Sequence, residues 1–306
     1  MLNFFIQKPK ISTNLLCHFG SQIKRKFKFG MVQMNVTKDK MTNLIQAEQM
    51  IKRLSDQGAD MVSLPESFNC PYTGRSFQAN SEMIPDGITT KTLSRIAKEN
   101  EVYLIGGSYP EKVIGQKKVY NTCVSFNRKG EVIGKYRKMH LFDVDIPGKY
   151  TFKESDRILG GNELCVIDTE FCKIGIAICY DVRFAELGQI YAERGCEMIV
   201  YPGTFTIFTG PSHWDLVLKG RAMETECYVA GISSARNEKS KFVCYAHSSV
   251  VSPWGEIVKQ MDEKSGTSIC EIDLNYVQEV RSKLPVLKHR RDDVYKIMKL
   301  NNNVKN

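Results

Sequence analysis

Two periods of apolar residues alternate along this chain. Short runs rich in Val, Ile and Phe, of strand character, are separated by segments whose apolar positions return every three or four residues. The first clear strand is 27–36, followed by a helix over about 40–56, a strand at 59–64, a helix at 89–99 and a strand at 102–108. Strands 119–126 and 131–137 read as a hairpin, because Asn127-Arg-Lys-Gly130 supplies turn residues. After an irregular stretch from 140 to 163 come strands 164–168 and 173–179, helix 184–194, strand 197–201, helix 213–226 and strand 227–233. Strands 246–251, 256–260 and 268–273 precede a short helix and a basic tail. Such alternation predicts an α/β fold with sheets covered by helices.

The pattern repeats itself. Lys28-Phe-Gly30-Met-Val resembles Lys173-Ile-Gly175-Ile-Ala, and Gly58-Ala-Asp-Met-Val-Ser-Leu-Pro65 resembles Gly195-Cys-Glu-Met-Ile-Val-Tyr-Pro202. The order is the same, with Gly-to-Gly separations of 28 and 20 residues. Two β-α-β units with matching anchors suggest a pseudo-twofold architecture of two sheets packed back to back.

Composition narrows the class. Hydrophobic residues make up 42% and charged residues 25% of 306 positions, which is ordinary for a folded globular chain and enough for a large core. No apolar run approaches the roughly 18 residues of a membrane span. The net charge of +9 suggests nucleic acid until it is located: residues 1–28 hold six Lys or Arg and no acid, leaving +3 for the rest. Neither a nucleic-acid partner nor a membrane is therefore called for. The expected organisation is a basic N-terminal extension at 1–26, one domain at 27–298 and a tail at 299–306. A mitochondrial transit peptide and a plain extension both fit the acid-poor leader, and a cytoplasmic body fits the rest. Ten dispersed cysteines without a C-x-x-C pair read as reduced thiols, not a disulfide framework.

One cysteine stands apart. Cys179 ends the apolar run Lys173-Ile-Gly-Ile-Ala-Ile-Cys179, and Asp181 reads as a helix start just beyond it. A thiol exposed at a strand-to-helix turn meets the positive end of a helix, which lowers its pKa and makes a nucleophile. A buried, inert cysteine is the plainer alternative. A nucleophile needs a base and an oxyanion partner. Glu66 follows Met-Val-Ser-Leu-Pro65, at a strand's carboxyl edge where α/β sheets build sites, although most glutamates there are solvated. Lys138 ends strand 131–137 within Lys135-Tyr-Arg-Lys138, which also fits a solvated basic run. Glu154, in Thr151-Phe-Lys-Glu154, has only the solvated reading by itself.

Leu64-Pro-Glu66, Lys135-Tyr-Arg-Lys138 with His140-Leu-Phe-Asp143, and Cys179-Tyr-Asp-Val-Arg183 resemble the three signature segments of the nitrilase superfamily of carbon–nitrogen hydrolases. The resemblance runs from about Lys26 to Tyr295. Within the superfamily, His140–Gly148, Cys179–Leu187 and His247–Glu256 are most similar to the ω-amidase branch. Ser67 departs from the pattern, which has a cysteine there, without touching the chemistry. The resemblance implies a nitrilase-like α-β-β-α sandwich of two mixed sheets. It also implies an amidase that forms a thioester, needs no metal or organic cofactor, and assembles as a homodimer.

By that resemblance Glu66 is the general base, Cys179 the nucleophile, Lys138 the oxyanion stabiliser together with the Tyr180 N–H, and Glu154 the residue that orients Lys138. Arg183 would hold the far carboxylate of a small amide such as 2-oxoglutaramate, 2-oxosuccinamate or succinamate, unless it pairs with Asp181 or Glu186. Tyr150, Thr204 and Phe205 are candidate pocket walls. Rival readings keep the fold with a deaminated-glutathione, carbamoyl-amide or nitrile substrate, pair Cys179 with His140, His213 or His247 as in a cysteine protease, or make the chain a non-catalytic scaffold.

Overall fold

The computed structural model describes residues 25–148 and 150–297, so the expected leader up to residue 24 and the tail 299–306 lie outside the described residues. Strand β1 (Lys26–Gln33) leads into helix α1 (Lys40–Asp56), whose N-terminus is capped by Asp39 accepting from the Thr42 N–H at 2.6 Å. Strand β2 (Met61–Ser63), helices α2 (Gly74–Asn80) and α3 (Ile88–Glu99), and strand β3 (Tyr103–Ile105) follow. Then come β4 (Tyr109–Glu111), β5 (Val119–Phe126) and β6 (Val132–Arg137), with β5 and β6 forming the expected antiparallel hairpin.

The stretch expected to be irregular holds a small hairpin, β7 (Asp143–Ile146) with β8 (Tyr150–Lys153), a 3-10 turn at Glu154–Asp156 and β9 (Ile158–Leu159). These strands are too short and too polar to show an apolar run, and the same holds for β4 and α2, which no sequence pattern predicts. The second half runs β10 (Cys165–Asp168), β11 (Lys173–Ile176), α4 (Ala185–Glu193), β12 (Cys196–Pro202), α5 (Gly210–Thr225) and β13 (Tyr228–Ile232). Strands β14 (Ser249–Val251), β15 (Ile257–Gln260) and β16 (Gly266–Asp273) and helix α6 (Leu274–Lys283) close the chain.

Two mixed sheets result. One has the order β16-β1-β2-β3-β5-β4, with β6 and β9 also on β5; the other runs β10-β11-β12-β13-β14-β15. In each, three parallel strands are flanked by antiparallel ones: β1-β2-β3 in the first, β11-β12-β13 in the second. Along β1 the side chains obey the period of two. Phe27, Phe29 and Met31 face a core shared with Ile174, Ile176, Met198 and Val200 of the other sheet, whereas Val32 faces Leu44, Ile51 and Leu54 of α1. This is the expected α-β-β-α sandwich.

The internal echo has a packing cause. A Cβ on Gly30 would stand 2.9 Å from Leu54 Cδ1 of α1, and one on Gly175 would stand 2.6 Å from Tyr191 Cγ of α4. Each glycine lets the helix of its β-α-β unit lie directly on the sheet. Among the described residues no helix is long and apolar enough to cross a membrane.

Candidate active site

Three strand ends converge between the sheets. β2 ends at Ser63, and Pro65 turns the chain so that Glu66, 1% exposed, points inward. β6 ends at Arg137, and the Lys138 N–H donates to the Asn121 carbonyl of β5 at 2.8 Å, which aims the fully buried Lys138 side chain at the same place. Glu154 begins the 3-10 turn after β8 and is 2% exposed. Its local sequence predicts a solvated carboxylate; the fold buries it.

Lys138 Nζ lies 2.9 Å from Glu66 Oε1, 2.9 Å from Glu154 Oε2 and 3.1 Å from the Tyr72 hydroxyl. Glu66 Oε1 also accepts from Asn121 Nδ2 at 2.9 Å, and Glu66 Oε2 accepts from the Thr204 N–H at 3.0 Å. Glu154 is held by the Tyr72 hydroxyl at 2.9 Å and the Phe142 N–H at 2.7 Å. Burial opposes the Lys138 charge, but Glu154 and then Glu66 hold the ammonium well above its ordinary pKa. Burial raises the Glu66 carboxyl above its ordinary value, with Lys138 pulling the other way. A buried cation shared by two buried carboxylates is stable only as a set.

Cys179 differs from its expected setting. β11 stops at Ile176, and Cys179–Arg183 is a 3-10 turn that precedes α4, not the first turn of an α-helix. Cys179 has φ of 48°, a left-handed conformation that costs a side-chain-bearing residue about 1–3 kcal/mol and is held only by its surroundings. Asp181 supplies much of that hold. Its carboxylate accepts from the Ile178 N–H (2.9 Å), the Tyr136 hydroxyl (2.7 Å) and the His140 N–H (2.9 Å), tying the elbow to the end of β6 beside Lys138.

The thiol is buried, 5% exposed, and burial followed by the Glu66 charge pushes its pKa up, opposite to the lowering expected of an exposed thiol at a helix start. The resting group is therefore a thiol, and deprotonation needs a neighbouring base. Glu66 is the carboxylate beside it: the Thr204 N–H reaches Cys179 Sγ at 3.4 Å while also bonding Glu66 Oε2 at 3.0 Å, and the thiol itself is directed at the Thr204 carbonyl, 3.8 Å away. The close approach of Gly203 permits this: a Cβ there would meet Cys179 Cα at 3.1 Å.

Cys179, Tyr180, Arg183, Thr204 and Phe205 line one cavity with Phe142, Thr206 and Thr209. Arg183 makes neither of the ion pairs considered for it. Its guanidinium lies over Phe205 at 4.7 Å and Tyr180 at 5.7 Å, and its one hydrogen-bond partner among the described residues is His213 Nδ1 at 3.2 Å. Tyr150 stands apart, packed among Phe152, Phe208 and Phe242, and is not in this cavity's wall.

The histidines of the cysteine-protease reading are engaged elsewhere. His140 bonds Asp181 and stacks on Phe184, His213 bonds Arg183, and His247 faces the Tyr245 carbonyl. Tyr72 and Asn121 carry no sequence signal, being singletons in a loop or on a strand face without a telling spacing, and Phe142 is marked only by lying within His140-Leu-Phe-Asp143. Asp181 reads in sequence as a helix start, a member of Cys179-Tyr-Asp-Val-Arg183 and a possible partner of Arg183; its role in holding the elbow comes from the fold.

The chain resembles known proteins over nearly all of this fold. The carbon–nitrogen hydrolase family model matches residues 28–282. Omega-amidase NIT2-A of Xenopus laevis is 47% identical over 272 residues, covering 89% of this chain and 98% of that protein, and omega-amidase NIT2 of Homo sapiens is 45% identical over 271 residues, covering 89% and 97%. The crystal structure of Saccharomyces cerevisiae Nit3, described as a member of branch 10 of the nitrilase superfamily, superposes with a TM-score of 0.82 at 36% identity, covering 88% of this chain and 98% of that one. With its α-β-β-α frame and its match from residue 28 to residue 282, the chain belongs to the nitrilase superfamily of carbon–nitrogen hydrolases.

Proposed function

We propose that the protein is an ω-amidase, hydrolysing the terminal amide of dicarboxylic acid monoamides such as 2-oxoglutaramate, 2-oxosuccinamate and succinamate to the dicarboxylate and ammonia. The identity to omega-amidases of two vertebrates supports the reaction. The observation that carries the substrate class is Arg183: a cation in the cavity wall beside Cys179, with no carboxylate partner among the described residues. Burial lowers its pKa, the sign of a charge that lacks an anion. A substrate carboxylate supplies that anion and places the amide at the sulfur.

The chemistry follows from the contacts. Glu66 takes the Cys179 proton as sulfur bonds the amide carbon, and the oxyanion that forms is held by Lys138 and by the Tyr180 N–H, which as an early donor of a helical turn has no partner within it. The proton on Glu66 passes to the amide nitrogen, the carbon–nitrogen bond breaks, and ammonia leaves a thioester. Water then gives a proton to Glu66 and its oxygen to the acyl carbon; as the carbon–sulfur bond breaks, Glu66 returns that proton to the sulfur, which regenerates the thiol and the carboxylate base. Glu154 and Tyr72 keep the Lys138 ammonium fixed throughout.

The test is ammonia release from a panel of ω-amides, glutamine, asparagine, carbamoyl amino acids, nitriles and simple alkyl amides. Arg183→Met is expected to lose about 10²-fold in kcat/KM on amides bearing an acid, mainly through KM, and little on propionamide. Equal loss on both would refute the assignment of Arg183, and no release from any ω-amide would refute the reaction.

A homodimer is part of this proposal. Leu216 and Met223 of α5, 69% and 52% exposed, lie two turns apart on a face where a Cβ on Gly220, between them, would meet nothing among the described residues within 4 Å. Trp254, 49% exposed, adjoins Met223 through Gly255 and extends the apolar patch. Light scattering of Leu216→Glu should show the monomer. The basic extension at 1–26 is proposed either to direct mitochondrial import or to leave the protein in the cytoplasm, which a reporter fusion decides.

A further inference from the structure

A second cavity reaches the site from another side. It is lined by Glu66, Ser67, Tyr72, Thr204, Ser234 and Asn237, among others. Of its wall, only Thr204 is shared with the cavity that holds Cys179 and Arg183. It runs from Glu66, which is buried, to Asn237, which is exposed, so it leads from the base to the surface. Among the described residues no Lys or Arg lines it. A substrate carboxylate finds no cation to pair with there, whereas the Ser67, Ser234, Ser240 and Asn237 side chains suit small neutral hydrogen-bonding molecules.

Thr204 adds an independent sign. Its Oγ1 is buried without a hydrogen-bond partner among the described residues, in a residue 6% exposed that stands where the two cavities meet. Buried hydroxyls are ordinarily satisfied, and an orphan calls for a ligand.

We infer that this second cavity is a passage and binding site for small neutral molecules, admitting the hydrolytic water to Glu66 and releasing ammonia from it while the acyl chain fills the Arg183 cavity. The chemistry requires such a route. Ammonia must leave and water must arrive on the Glu66 side of a thioester whose acyl group occupies the other cavity. The Thr204 hydroxyl and Glu66 Oε2 then flank the site where nitrogen departs and oxygen enters. This inference rests on the thioester reaction proposed above.

Narrowing the passage should slow ammonia egress and water entry, which follow carbon–nitrogen cleavage, and spare the cleavage itself. Ala235→Leu fills the buried wall, and Asn237→Phe obstructs the exposed mouth without demanding anything of the core. Quenched-flow with succinamate is expected to show one ammonia released per site at the wild-type rate. Turnover should then fall about tenfold, with a succinyl adduct on Cys179 accumulating in intact-mass spectra. Hydroxylamine, a nucleophile close to water in size, should be excluded to the same extent, measured as hydroxamate formed.

Unchanged turnover in Asn237→Phe and Ala235→Leu overturns the inference. So does a slowed burst with a raised KM, which would make the cavity part of amide binding. Should Ala235→Leu fail to fold, Asn237→Phe decides the question alone. Wild-type enzyme that releases ammonia without any adduct in either variant defeats the passage and leaves the amidase reading standing; wild-type enzyme that releases none defeats both.

Discussion

The two β-α-β halves share a frame and divide the chemistry unequally. In the first, β1-α1-β2 runs out at Ser63, and Pro65 then delivers a charged side chain, Glu66. In the second, β11-α4-β12 ends at Pro202 and delivers Gly203, which lacks a side chain, followed by the Thr204 amide. The elbow after β11 carries Cys179 at φ of 48°, and the missing side chain of Gly203 is what lets that elbow come close. Gly58 and Gly195, with φ of 82° and 83°, end α1 and α4 in the same left-handed way, so the frame is alike wherever chemistry is not at stake. A pseudo-symmetric sandwich can thus place its base and its nucleophile on opposite halves and let them meet over one backbone amide.

Breaking the pair at either half should cost the most activity. Cys179→Ala should remove ammonia release by a factor on the order of 10⁴ or more, and Glu66→Gln by about 10²–10⁴, with folding retained in both. Glu66 must be ionised to accept the thiol proton, and burial raises its pKa above the ordinary 4.5. As pH falls through that raised value Glu66 gains a proton and kcat/KM drops, so the acid limb lies above pH 4.5 and vanishes from the residual rate of Glu66→Gln. A pH–rate profile of both proteins checks this; an unmoved limb in Glu66→Gln would assign it to another group.

Lys138 holds the two buried carboxylates Glu66 and Glu154 together, and its loss should register in stability as well as rate. Lys138→Met leaves Glu66 and Glu154 buried without their cation, at a cost of about 3–5 kcal/mol in chemical denaturation. Unpaired buried carboxylates have folded-state pKa values above their unfolded ones. The stability that protonation restores is therefore present at low pH and lost as pH rises, so the deficit should shrink on acidification. Lys52→Met, which breaks an exposed pair with Asp56, should move stability by no more than about 0.5 kcal/mol.

Gly203→Ala probes the asymmetry directly. The added Cβ meets Cys179 Cα at 3.1 Å, tight enough to shift the elbow by a few tenths of an ångström. About a tenfold loss of kcat is expected with KM little changed, because the nucleophile and not the carboxylate cavity is displaced. A loss confined to KM would place the shift in the Arg183 cavity instead.

Much of this is legible in the sequence, and the limits have physical causes. Long apolar periods mark the sheets and their helices, and Leu64-Pro-Glu66, Lys138 and Cys179 stand where strands end. The state of Cys179 is not legible. Its environment depends on Glu66 and Thr204, 113 residues before it and 25 after it in the chain, so the sign of its pKa shift follows from packing and not from local sequence. Tyr72 and Asn121 are invisible for the same reason: each is an ordinary residue until the fold sets it against Lys138 or Glu66. Position along the chain points Tyr150 at the cavity, whereas the β7–β8 hairpin, which no apolar run announces, packs it among Phe152, Phe208 and Phe242.

The mildest pair of substitutions tests whether the echo between the halves is a matter of packing. Gly30→Ala and Gly175→Ala both press a methyl group into the helix above, and overpacking of this kind costs about 1–3 kcal/mol. The two neighbours differ in how they can yield. Leu54 meets the added carbon with a terminal methyl group at 2.9 Å and can turn to another rotamer. Tyr191 meets it at 2.6 Å with the base of a fully buried ring whose hydroxyl is anchored on the Ile176 carbonyl, so the ring cannot turn aside and α4 must lift. Urea denaturation should therefore find Gly175→Ala less stable than Gly30→Ala by about 1 kcal/mol, and kcat should fall only in Gly175→Ala, because α4 follows directly on the Cys179 turn. Equal costs with unchanged kcat would mean that the echo preserves sequence without shared mechanics.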